Sequence, residues 1–337
     1  MVVLVERLSK IYFKLENHFH HHHEAEAAAA EEALQASLKA FRSDVSIGLN
    51  RLLSNSKPGS SEFISFSWIQ QCFELLPVIN KAFAKMVMEI DYPMRKWEAS
   101  SVEEYLNYSL SLMELLNSIS SSISHLGHAR LSLSHALSLV ENSPSMAIER
   151  LRGGFHTKSP IKEKFKRPKN NKVEDGEEEA EDRFCSKKEK VVDEALMELK
   201  SIGFWVCGVL LAGLSDDAKA YMEMRESEGG YSNSALKSLD SVICEVIMEE
   251  EKRGVLKDVR ELNDSANCLA AALETGKGDS DSSSSSSSEK AEELKRRLEI
   301  FEMVLDNLGK EVDHLFSKLL AGRNELINGI RRNIQTS

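Results

Sequence analysis

Residues 200–217 read KSIGFWVCGVLLAGLSDD, and the thirteen uncharged residues from Ile202 to Leu214 form the most apolar run in a 337-residue chain that is otherwise polar and acidic. Such a run either enters a bilayer or fills the middle of a protein core. At about 1.5 Å per residue it covers roughly 20 Å, short of the roughly 30 Å hydrocarbon layer. Lengthening it brings in Glu198 and Lys200 on one side and Asp216 and Asp217 on the other. Each such charge costs about 2.5–3.5 kcal/mol near a bilayer centre. Upstream, Val191, Ala195 and Leu199 recur at helical spacing and run into the stretch in phase. Gly208 and Ala212 suit close helix packing in either solvent and so decide nothing. The reading is a central helix of a bundle, with a membrane-embedded segment over 202–214 as its competitor.

Outward from this stretch the chain reads as helices. Only 6 Pro and 17 Gly are present, and Leu, Ala, Glu, Lys and Ser dominate. One stripe carries Leu34, Leu38, Phe41, Val45, Leu49 and Leu52; NSKPGSSE then stops it. Ser67 and Gln70 have capping-box spacing, which predicts a helix start there, a kink near Pro77 and an end before Pro93. Ser101 and Glu104 repeat that spacing ahead of a stripe from Val102 through Leu116 and Leu126 to Val140, a predicted helix of about 55 Å with a serine-rich opposite face. Later stripes include Leu236 to Val246, Val255 to Leu273 and Leu294 to Ile330.

The periodicity fails twice. Residues 142–186 change from basic (IKEKFKRPKNNK) to acidic (VEDGEEEAED), and residues 276–288 are dominated by serine. The predicted fold is all-α: an elongated bundle of long antiparallel helices with two disordered insertions. Its parts are an amphipathic, His-rich segment 1–23, one half-bundle over 24–141, a charged linker 142–186, and a second half-bundle over 187–337 interrupted by the polyserine loop 276–288.

The side chains offer little for catalysis. None of the phosphate-cradling, dinucleotide, zincin or serine-hydrolase motifs occurs, and TGKGDS lies in the polyserine break with no strand before it. His20–His23 are consecutive, so their imidazoles cannot converge as a closed metal shell. Glu311 and His314 have the E-x-x-H spacing of di-iron bundles, but the pair occurs once where two are needed; it reads as an exposed acid and a half-buried histidine. No catalytic, cofactor-binding or metal residue is assigned, no cofactor or small-molecule substrate is evident, and the expectation is a protein that is not an enzyme. A net charge of -11 argues against nucleic acid. Cysteines 72, 185, 207, 244 and 268 are odd in number with no C-x-x-C pair, the pattern of reduced thiols in a cytoplasmic protein. The opening residues have an apolar run of only four residues after Met1, Val2–Val5, before Glu6, too short for a secretory signal, and Val2 excludes myristoylation. The basic run near 162–172 reads as a linker neutralised by its acidic neighbour. Ser286, three residues before Glu289, is a candidate for acid-directed phosphorylation in what is otherwise a spacer.

SWIQQCFELL (67–76), KWEASSVEEYLNYSLSLMELLNSISSSISHL (96–126), GFWVCGVLLAGLS (203–215) and EVDHLFSKLLAGRNELINGIR (311–331) together resemble the plant BYPASS family, and VERLSKIYFKLENH (5–18) looks like its BYPASS-like members. The resemblance covers most of the chain in the same order and is poorest over 142–200 and the polyserine. It implies a non-enzymatic plant regulator of root and shoot development that restrains a root-derived mobile growth-arrest signal. The residues alone suggest a helical scaffold that binds other proteins through its helix faces. The alternative is a peripheral membrane factor in vesicle trafficking, attached to a tethering complex such as exocyst, with membrane association through residues 1–15 or 202–214; the stripe Val2, Val5, Leu8, Tyr12 and Leu15 would lie on the bilayer.

Overall fold

The computed structural model describes residues 2–55, 64–154, 180–215, 218–228, 230–250, 255–275 and 282–336. They form α1 (Val2–Asn55), α2 (Phe66–Phe73), α3 (Leu75–Glu89), α4 (Ala99–Ser138), α5 (Pro144–Gly153), α6 (Ala180–Ser215), α7 (Lys219–Glu228), α8 (Ser234–Glu250), α9 (Lys257–Thr275) and α10 (Ser282–Thr336), with a single 3-10 turn at Met94–Lys96. No strand occurs among the described residues, so the all-α class stands.

The second half of α6 is the centre. From Ile202 to Leu214 every residue except Phe204 is buried, enclosed by α1, α2, α3, α4 and α7. The helix over Lys187–Ser215 is long and apolar enough to cross a membrane, yet 83% of its apolar window is buried inside the bundle. Its side chains therefore already face protein, as the core reading requires. The neighbours come very close. A Cβ on Gly203 would strike the Tyr108 hydroxyl of α4, and one on Gly208 would meet Met224 Cε at 2.9 Å and Tyr221 Cα at 3.5 Å.

The stripe from Leu34 to Leu52 turns α1 onto this core, and Phe41 meets Phe83 of α3 edge to face with centroids 6.3 Å apart. α1 is continuous from Val2, so residues 2–23 belong to the same helix that carries the stripe; their side chains lie outside the described residues. The helix expected to kink near Pro77 instead breaks at Glu74, which leaves Pro77 in the first turn of α3, where its missing N–H costs no helical bond. The cap of α2 is Ser65, whose Oγ accepts from Trp68 N at 3.3 Å, two residues before the Ser67 that the spacing suggested.

The Ser101 and Glu104 box is also displaced. α4 starts at Ala99, and its cap residue Glu98 makes no side-chain cap bond. The polar groups of its first turns are satisfied by α6 instead. Glu98 N–H donates to Glu189 Oε1 at 3.2 Å, Ser101 Oγ donates to Asp193 Oδ1 at 2.6 Å, and Lys200 Nζ donates to Glu104. A tertiary partner displaces the local one because Ser101 is buried against α6, where an unpaired hydroxyl would be penalised.

The charges at the edge of the apolar run are buried and paired in the same way. Glu198 accepts from Arg42 Nε of α1 at 3.1 Å and from Asn233 Nδ2 at 2.6 Å, while Asn233 Oδ1 caps α8 through Ala235 N–H and Leu236 N–H. Asp240 of α8 accepts from Trp205 Nε1 at 3.1 Å, Tyr221 hydroxyl at 2.5 Å and Arg225 Nε at 2.7 Å, which pins α6, α7 and α8 to one buried carboxylate. Burial, with Asp240 alongside, drives the Tyr221 phenol far above its usual range and keeps it a donor.

The linker read over 142–186 is shorter than its composition suggested. α5 occupies Pro144–Gly153, with Pro144 in its opening turn and Ala147, Ile148 and Leu151 buried as it packs against α4 and α9. α6 already begins at Ala180; residues 155–179, including the basic run, lie outside the described residues. α10 likewise begins at Ser282, inside the stretch read as a loop over 276–288, and residues 276–281 lie outside the described residues. Serine is an indifferent helix former, but extending an existing helix is far easier than nucleating one.

Gly208→Leu should overpack α6 against Tyr221 and Met224 and lower unfolding free energy by about 1–3 kcal/mol. An unchanged urea midpoint would contradict this packing. Asp193 has its carboxyl pushed above the ordinary value of 3.8, first by burial and then by Glu189, Glu104 and Glu98, against the lowering bond from Ser101. An acid raised in the fold favours the native state when protonated, and that advantage is lost as pH rises from the unfolded value through the folded one. Asp193→Asn keeps an acceptor for Ser101 and removes the charge. Its melting temperature should exceed the parent's at pH 7, with the gap closing as pH falls toward 3.8; a gap independent of pH would contradict the assignment.

Candidate functional site

α10 runs antiparallel to α4. Arg323 of α10 donates to Ser109 Oγ at 2.8 Å near the start of α4, and Arg130 pairs with Glu302 at 2.8 Å further along. Two cavities of about 290 and 470 Å³ follow the seam between these helices and share Arg130 and Glu302 in their linings. Leu298 and Leu305 are buried at the base, Ile123 and Leu137 are half-buried, and Leu131 is 53% exposed. The α4 wall presents Ser124, Gly127, His128 and Ser134, and the α10 wall presents Lys295, Glu299, Glu302 and Asp306. A Cβ on Gly127 would meet nothing within 4 Å. An apolar base between polar walls has the composition of a protein-docking groove, with an apolar centre and a polar rim.

Among the described residues, those singled out in the sequence are not brought together. Glu311 is half-buried and His314 exposed, the reverse of the reading from spacing. Glu311 Oε1 accepts from Gln70 Nε2 of α2 at 2.8 Å, so this acid joins α10 to α2. Among the described residues no group of three or more His, Cys, Asp or Glu side chains could hold a metal ion. The side chains of His20–His23, Cys185 and Ser286 lie outside the described residues. Cys72, Cys207, Cys244 and Cys268 are free thiols. Burial pushes the Cys72 and Cys207 thiols far up, which suppresses the reactive thiolate.

The groove was not among the sequence expectations. Its two walls come from segments about 170 residues apart, and no local pattern pairs α4 with α10. The partial signal was the serine-rich face of α4, which supplies Ser124 and Ser134 to the wall.

The chain is 24% identical over 304 residues to Protein BPS1, chloroplastic, of Arabidopsis thaliana, a match covering 87% of this chain and 83% of that protein. It is also 24% and 23% identical over 258 residues to the proteins named UPF0496 protein 4 of Oryza sativa subsp. japonica and subsp. indica. These matches cover 70% of this chain and 53% of each rice protein, so the chain matches about half the length of those relatives. No family model matches, and no solved structure matches. The resemblance to the plant BYPASS family therefore extends over most of the chain.

Proposed function

We propose that this protein is a non-enzymatic plant regulator of root and shoot development of the BYPASS type, restraining a root-derived mobile growth-arrest signal and acting as a helical scaffold for other proteins. The observation that carries the reading is the similarity to BPS1 across 87% of the chain. The scaffold role is supported by the α4–α10 groove, a concave face lined by an apolar base and a charged rim. The proposed compartment is the cytoplasm. BPS1 carries the word chloroplastic in its name, and a fluorescent fusion of this chain that collected in plastids would move the proposed site of action there.

A second reading, attachment to a membrane through residues 1–15, is favoured by the continuity of α1 from Val2, which places the sequence stripe Val2, Val5, Leu8, Tyr12 and Leu15 in a helix. Flotation with anionic liposomes, lost on Leu8→Glu and Tyr12→Glu, is its expected signature; sedimentation away from the vesicles contradicts it.

Reciprocal grafting tests the developmental role. A root lacking the protein should arrest a normal shoot, and a normal root should sustain a shoot lacking it. Arrest that follows the shoot's genotype would overturn the restraint of a root-derived signal.

A further inference from the structure

We infer that the α4–α10 groove receives an amphipathic helix of a partner protein, its apolar side on Ile123, Leu131 and Leu305 and a lysine- or arginine-rich flank along α10. The inference rests on the scaffold reading above and names the chemistry of the partner.

The shape of the site selects a helix. Both walls are α-helices whose backbone groups are engaged in their own hydrogen bonds, so an extended peptide would find no sheet edge to pair with and would bury unpaired amides. A helix satisfies its own backbone and brings only side chains. The α4 lining from Ile123 to Ser138 offers roughly 24 Å of length, room for about four helical turns. Gly127 leaves open space at the α4 wall where a partner side chain can sit.

Charge selects the flank. On α10, Glu302 is taken up by Arg130, which leaves Glu299 and Asp306 against Lys295, and beyond the lining the exposed Glu292 and Asp313 stand against the exposed Lys310. On α4 the cation Arg130 is paired with Glu302, and its neighbours are serine, glycine and histidine. One wall is therefore acidic and the other close to neutral, which orients a helix with a single basic flank and repels an acidic one. A second copy of this chain, at net charge -11, is a poor occupant, and an anionic lipid surface meets the wrong sign of charge.

The test uses two labelled model peptides of roughly four turns with the same leucine face, one flanked by lysine and one by glutamate, titrated with the full chain by fluorescence anisotropy at near-physiological salt. The lysine peptide should bind and the glutamate peptide should not. Glu299→Lys with Asp306→Lys should weaken binding about tenfold, whereas Glu245→Lys with Glu249→Lys on exposed positions of α8 should change it less than about twofold. Gly127→Gln, whose Cβ has nothing within 4 Å and whose side chain projects into the open space, should abolish binding and leave the melting temperature within about 2 °C. Equal affinity for both peptides, equal loss from the α8 reversal, or full binding by Gly127→Gln would overturn the inference. The scaffold reading is tested separately: partners captured from plant tissue by the parent chain that remain bound to the Gly127→Gln variant overturn only the groove assignment, whereas a parent chain that captures no partner overturns the scaffold reading.

Discussion

The burial of one apolar helical segment, Ile202–Leu214, organises the structure around it. A helix apolar on all sides must be enclosed on all sides, and the surrounding helices turn their apolar stripes toward it. The helices approach so closely that a Cβ on any of the three glycines in this segment, Gly203, Gly208 or Gly213, would collide with a neighbouring side chain. Enclosure also draws ionised groups inward. Glu198 and Lys200 sit within a turn of the run and are largely buried, and Arg42, Asn233 and Glu104 meet them there. Asp240 does the same for the indole of Trp205 and the phenol of Tyr221. Removing one member of such a buried set leaves the other uncompensated, which makes these contacts rules for placing α1, α4 and α8.

α4 connects that core to the surface. Its first half lies against α6, with the Ser101–Asp193 bond and Tyr108 beneath Gly203. α4 also packs against α5 and α10, and between residues 123 and 138 the packing against α10 opens into the groove. A long two-part helix can hold a stable core at one end and an interaction face at the other without either disturbing its neighbour's packing. This division accords with a protein whose proposed work is to hold partners.

Periodicity made the core legible. Leu34 to Leu52, Met113 to Ile119 of α4 and Leu294 to Leu315 of α10 are buried where their spacing placed them, and Val102, Leu106, Ile123, Leu137, Val140 and Leu319 are half-buried, because a 3.6-residue repeat states directly which side faces inward. The Ser101–Glu104 capping box failed because both side chains have tertiary partners on α6, and the Ser67–Gln70 box because Ser65 caps α2 and Gln70 donates to Glu311 of α10. α5 escaped detection because its three buried residues, Ala147, Ile148 and Leu151, are too few to stand out beside a charged tract. The extension of α10 through Ser282 depends on the helix that follows it, which a composition window does not weigh. The groove was invisible for a different reason: it is a property of two surfaces brought together by the fold.

Hydrogen exchange in detergent-free buffer tests the central claim most directly. The amides of Ile202–Ser215 should be among the slowest in the chain and exchange only on global unfolding, since their helix is enclosed by protein. Protection of this segment that appears only when detergent or lipid is added would contradict the bundle core and make it a membrane segment.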